Sequence, residues 1–177
     1  MELEEVGLRR QSKVEQYDVL SAPTSPDLQA LADLAAGIVG APMAAINLLT
    51  ATRQHMIATS GIDPSVCSTE ESMCAVVASE VGSVVVPDAR VDPRFSANPF
   101  VTGVRDRFRF YASAALLAPD GTPVGRLCVF DHEPRELEER HREALATLAG
   151  RVMDILELRL RTRELQASLA ELTGVRD

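Results

Sequence analysis

With 177 residues, 46% of them hydrophobic and 25% charged, the chain has room for one globular domain plus an extended element and is too apolar to be disordered. A formal net charge of −8 excludes a general nucleic-acid backbone binder and disfavours an anionic membrane surface as partner. Trp is absent and aromatics reach only 4%, so Ala, Val, Leu and Ile must build the core.

No stretch has the length or apolarity of a membrane span, and the acidic opening over Met1 to Glu5 lacks the basic start of a secretory leader. Three cysteines form no framework spacing and are read as reduced thiols. A cytoplasmic chain is expected.

Taken in order, residues from about Leu8 to Leu20 have Val14, Tyr17 and Leu20 at helical spacing. Ser25 before Pro26 marks a second helix start, and Leu28, Leu31, Ala35 and Ile38 are read as its apolar stripe up to Gly40. Met43 to Leu49 and Gln54 to Thr59 read as a strand pair. The Ser68-Thr69-Glu70-Glu71 run has capping-box spacing and should open a helix through Met73, Cys74 and Val77. Val84 to Val86 is a third strand. From Pro87 to Arg107 no periodicity survives, and a loop of that length is often functional.

Phe108 to Leu117 and Thr122 to Phe130 flank Pro119-Asp120-Gly121 as a hairpin. Few charges lie on either face of these strands, which predicts a sheet covered on both sides. Helices would cover one face. The long loop and the short helix near Cys74 would roof the other, leaving a hollow.

The last helix should run from about Glu136 to Leu172, on the order of 55 Å. Its stripe is Leu145, Leu148, Val152, Ile155, Leu158, Thr162, Leu165, Leu169 and Leu172, with a phase shift between Ile155 and Leu158. Glu136 with Arg140, Glu138 with Arg142 and Glu157 with Arg161 stand at favourable spacing on the solvated side. Beyond Ile155 no other element remains to cover the apolar face, so a parallel homodimer is expected through Leu148, Val152, Ile155, Leu158, Leu165, Leu169 and Leu172, against an exposed tail.

Several strings, in this order, resemble bacterial GAF domains over about residues 10 to 160. They are Leu31-Ala32-Asp33-Leu34-Ala35, Ala44 to Leu49, Val86 to Phe95, Asn98-Pro99-Phe100-Val101, Arg109-Phe110-Tyr111-Ala112 and Gly121 to Asp131. The resemblance implies an α+β, profilin-like fold: a central antiparallel sheet of five to six strands, terminal helices on one face, a roofed small-molecule pocket on the other and a long C-terminal helix. Residues 1–157 would form the domain and 158–177 a coiled-coil extension. Such domains regulate attached or partnered output modules. No output motif is present, so the chain is read as a stand-alone regulator or as a fragment. Ser113 and Ala115 depart from the Gly and Pro common in relatives, and His55 stands where they often carry Trp.

The function expected is sensing: an unidentified small molecule binds, and the dimeric helix signals to an output protein. Pocket candidates are Cys74, Val86, Asp88, Phe95, Phe100, Val101, Arg105, Arg107 and Tyr111. Residues 87 to 109 hold five arginines against three aspartates, a set that could grip a carboxylate or phosphate, or pair internally to lock the loop. Alternation allows Phe110 or Tyr111, not both, on the pocket side.

No enzyme activity, metal or cofactor is expected. His55, His132 and His141 are scattered, and no phosphate loop, nucleophile elbow or cyclic-nucleotide signature occurs. A ligand-free dimerisation scaffold is the alternative. A thiol-based methionine-sulfoxide reductase using Cys67 and Cys74 is a third reading, with Cys128 taken as core filler.

Overall fold

All seven residues of the strand β1 (Met43–Leu49) are buried, as expected of a strand covered on both faces. In the computed structural model, which describes residues 2–174, β1 lies in the middle of a six-stranded antiparallel sheet with β2 (Arg53–Ser60), β3 (Val66–Ser68), β4 (Val84–Val86), β5 (Phe110–Leu117) and β6 (Pro123–Asp131). The order is β3-β2-β1-β6-β5-β4, so both edge strands are only three residues long. β3 was not foreseen; it is too short to carry a periodic signal.

One face is covered by α1 (Glu2–Tyr17), α2 (Pro26–Val39) and α5 (Glu139–Thr173). Ala44, Ile46 and Leu48 of β1, Phe110, Ala112, Ala114 and Leu116 of β5, and Leu127 and Val129 of β6 pack beneath them. Pro26 opens α2 as expected, although Ser25 makes no side-chain cap bond, and Gly40 ends it at φ 70°, a conformation that costs little only for glycine. The expected stripe of α2 is rotated. Ala32, Ala35, Ala36 and Val39 are buried with Leu28, whereas Ile38 is exposed. Small residues face inward because α2 must fit closely between the sheet and α5.

The other face carries α3 (Met73–Val76), a 3-10 turn at Ala89–Val91 and α4 (Pro99–Thr102). Ser68 and Glu71 do form a turn, with Glu71 N–H donating to Ser68 Oγ at 3.3 Å, but the helix begins later, where Ser72 Oγ accepts from Ala75 N–H at 3.0 Å. The expected unbroken loop over residues 87–107 thus contains two short helical turns. Asp88 and Asn98 cap them by accepting from the N–H groups of Arg90 and Phe100.

The single stripe expected on α5 is two stripes. Leu145, Ala149, Val152, Met153, Leu156 and Leu160 are buried against the chain's own core. A second seam holds Leu148 and Ile155, which are partly buried, and then Leu158, Leu165, Leu169 and Leu172, which are 60–84% exposed. The expected line mixes the two: Leu145 and Val152 belong to the inner stripe, and Leu148, Ile155 and its leucines from Leu158 on belong to the outer one. Val152 therefore leaves the expected dimer surface. Glu157 turns toward α1 instead of Arg161: Tyr17 Oη donates to its Oε1 at 2.5 Å and Lys13 Nζ lies 3.5 Å away. On the exposed side Arg140 pairs with Glu138 and Arg142 with Glu139. Residues 175–177 of the expected extension lie outside the described residues. No helix among the described residues is long and apolar enough to cross a membrane.

Candidate functional site

Strand alternation sends Met43, Ala45, Asn47 and Leu49 of β1, Tyr111 and Ser113 of β5, and Arg126, Cys128 and Phe130 of β6 to the roofed face. Among the described residues, aromatic side chains pack into that face between sheet and roof. Phe95 packs on Tyr111 with ring centroids 5.5 Å apart, and Tyr111 meets Phe130 at 5.6 Å. Phe108 stacks on Phe130 at 4.7 Å and on Phe100 at 6.1 Å. A cavity of about 10 Å³ among them is bounded by Gln54, Met56, Met73, Cys74, Phe100, Phe108 and Phe130. This is room for one water-sized molecule at most. Irregular chain does roof the sheet, as expected, but its aromatic side chains fill the space beneath.

The pocket candidates therefore separate. Cys74 and Phe100 border the small cavity, and Tyr111 is fully buried beside Cys74. Val86, Phe95 and Val101 are core residues of this layer. Asp88 holds Arg90 bidentately at 3.0 and 2.7 Å, and Asp92 holds Arg94 at 3.1 and 2.9 Å. These arginines lock the loop. Arg105 is tied to Glu71 at 2.6 Å, and Arg107 is exposed beside Gly103. None of the described residues that line the cavity is cationic.

Two polar groupings were missed by the sequence reading. The first is Arg126, fully buried in the central strand. Its Nε donates to Ser113 Oγ at 2.6 Å, Nη1 to the carbonyls of Val77 and Glu80 at 3.2 and 2.7 Å, and Nη2 to the Gly82 carbonyl at 2.7 Å. All these acceptors are neutral. Ser113, noted as a departure from glycine, is thus the hydroxyl that receives this arginine.

The second is a buried thiol pair. Cys74 Sγ and Cys128 Sγ are 2.9 Å apart, Tyr111 Oη lies 3.4 Å from Cys74 Sγ, and Asn47 Nδ2 donates to Cys74 Sγ at 3.3 Å and to Cys128 Sγ at 3.6 Å. Asn47 Oδ1 is buried with no partner. Burial opposes ionisation of Cys74, but hydrogen bonds from Cys128, Tyr111 and Asn47 and the charge of Arg126 outweigh it and lower its pKa to about 7. Burial, and then the hydrogen bond to Cys74, push the Cys128 thiol well up. The third reading singled out Cys67 and Cys74, but the thiol beside Cys74 is Cys128, which was taken as core filler. Cys67 is a buried thiol whose pKa burial raises to about 11. Nothing local in the sequence shows this, since 54 residues separate the two partners and the pair depends on how α3 sits over β6.

The fold as a whole is shared with solved structures. The GAF domain of a phosphoenolpyruvate-protein phosphotransferase from Acinetobacter aligns at TM-score 0.62 and 15% identity, over 93% of this chain and 94% of that one. The PixJ GAF domain of Thermosynechococcus elongatus, in its blue-light absorbing form, aligns at TM-score 0.63 and 12% identity, over 94% and 98%. The chain has the GAF-domain fold. A free methionine-R-sulfoxide reductase from Neisseria meningitidis shares this GAF fold at TM-score 0.59 and 18% identity, over 92% and 93%. No protein-family model matches the sequence.

Among curated proteins, a cyclic di-GMP phosphodiesterase of Pseudomonas aeruginosa is 37% identical over 145 residues, covering 81% of this chain. The chain spans about a quarter (24%) of that protein's length. The expectation of a non-enzymatic chain is corrected by this match, since the relative is an enzyme by name.

Proposed function

We propose that this GAF fold is a sensory or regulatory module that works within, or beside, a cyclic di-GMP phosphodiesterase and couples to it through a parallel pair of α5 helices. The observation that carries the reading is the second seam of α5. Leu148, Ile155, Thr162 and Leu169 recur every seven residues, and Leu158, Leu165 and Leu172 do so three positions on, the spacing of a two-stranded coil. Leaving Leu158, Leu165, Leu169 and Leu172 in water forfeits roughly 1.5–3 kcal/mol per side chain, which a second copy of the helix recovers. The match to part of a phosphodiesterase supports the output named here. The filled roof favours regulation by protein contact over regulation by a bound metabolite, because a ligand larger than water must first displace Phe100 or Phe108.

Solution mass tests the helix pair. The intact chain is expected at twice its 19.2 kDa, and Leu165→Lys with Leu169→Lys at once that mass with an unchanged circular dichroism spectrum. A monomeric intact chain, or a dimer that survives both substitutions, places the reading in error. Truncation after Ile155 is the poorer variant, since it also removes Leu156 and Leu160 from the core.

A further inference from the structure

Two free thiols lie 2.9 Å apart in the roofed layer, and none of the roles above uses them. We propose that Cys74 and Cys128 are a peroxide-reactive pair that closes to an intramolecular disulfide and pins α3 to the central strand. The geometry comes first. A disulfide bond is about 2.05 Å long, so closure asks the two sulfurs to move together by less than about 1 Å. Each sulfur projects from an ordered element, α3 on one side and β6 on the other.

The surroundings supply what the chemistry needs. Asn47 Nδ2 and Tyr111 Oη are donors at 3.3 and 3.4 Å from Cys74 Sγ, and Arg126 places a buried positive charge in the same layer with neutral acceptors only. These groups stabilise sulfur as thiolate. Cys74 also borders the cavity of about 10 Å³, which hydrogen peroxide enters with a smaller displacement of Phe100 or Phe108 than a bulky disulfide would require.

The reaction balances with one peroxide. The Cys74 thiolate attacks a peroxide oxygen, the O–O bond breaks, and the departing hydroxide takes up the proton released by the thiol to leave as water. Cys74 is then a sulfenic acid. The Cys128 sulfur attacks that sulfur, the S–O bond breaks, and the Cys128 proton leaves with hydroxide as a second water. Two electrons pass from the thiol pair to the peroxide. Asn47 and Tyr111 act by holding the Cys74 sulfur in place and are positioning residues.

The test treats the full chain with stoichiometric hydrogen peroxide, alkylates the remaining thiols under denaturing conditions and maps the peptides. The expected product has lost two hydrogens, carries one alkyl group on Cys67 and gives a Cys74–Cys128 linked peptide that a dithiol reductant removes. Its melting temperature should rise by roughly 5–10 °C over the reduced chain, because the bridge closes a long loop. Cys67→Ser should cross-link as the natural chain does. Cys128→Ser should stop at a sulfenic acid on Cys74, trapped by a dione reagent. A Cys67–Cys74 link, or three alkylated cysteines at peroxide levels that already oxidise methionine, overturns the proposal, and the mapping on the natural chain decides even if a variant fails to fold.

Discussion

At the scale of single residues, the most demanding side chain is Arg126. A guanidinium with no carboxylate beside it is retained in a core only when its N–H groups are satisfied, and here Ser113, Val77, Glu80 and Gly82 satisfy them. Its fork is wide enough to gather a strand hydroxyl and three carbonyls of the 77–82 segment. A lysine in its place offers a compact point charge and cannot span them. Arg126→Lys is therefore expected to lower unfolding stability by about 2–4 kcal/mol, read from the urea midpoint. A loss below about 0.5 kcal/mol, the range of an exposed substitution, would show that the arginine does not hold the segment. Gly125, next to it, is constrained differently: a Cβ there would lie 1.9 Å from the Asn47 carbonyl oxygen, so β1 and β6 approach as they do only because that position has no side chain.

At the scale of elements, the stretch from Asp88 to Asp106 shows how an irregular segment is fixed without a ladder. Asp88 and Asp92 each accept one backbone N–H and grip one arginine two residues on. The Arg90 guanidinium holds the Asp88 carboxyl below its ordinary range, and Arg94 does the same to Asp92. Because both folded values are depressed, their support is complete above the ordinary aspartate value of about 3.9 and is lost as pH falls through the lower folded values. Carboxyl carbon shifts followed by NMR should titrate with midpoints below about 3.9 at both residues, and midpoints at or above it would break the assignment. Strand positions were legible here where length allowed: β1 matched its apolar run to the residue, and the β5–β6 hairpin matched within two residues at either end. The roof was not legible, because whether Phe95, Phe100 and Phe108 line a hollow or fill it depends on distances between segments far apart in sequence. The same limit hid Cys128, whose strand context alone reads as core.

At the scale of the molecule, the two stripes of α5 divide its work. The inner one, from Leu145 to Leu160, belongs to the domain; the outer one, from Leu148 to Leu172, extends past it. Periodicity in the sequence reported both as one line, since two interleaved repeats on one helix blur wherever their phases differ by a single residue. The proposed pairing links folding to association by mass action, so the melting temperature should climb with protein concentration in the natural chain but stay flat in the Leu165→Lys, Leu169→Lys variant. Equal concentration dependence in both would place the association elsewhere on the surface.

The margins of the sheet are poor templates for adding another strand. β3 and β4 expose only three residues each, too little rail for another chain to zip alongside. Lateral growth into ribbons or fibrils by strand addition is thereby discouraged, and the pairing proposed along α5 would be one in which the number of participants stays finite.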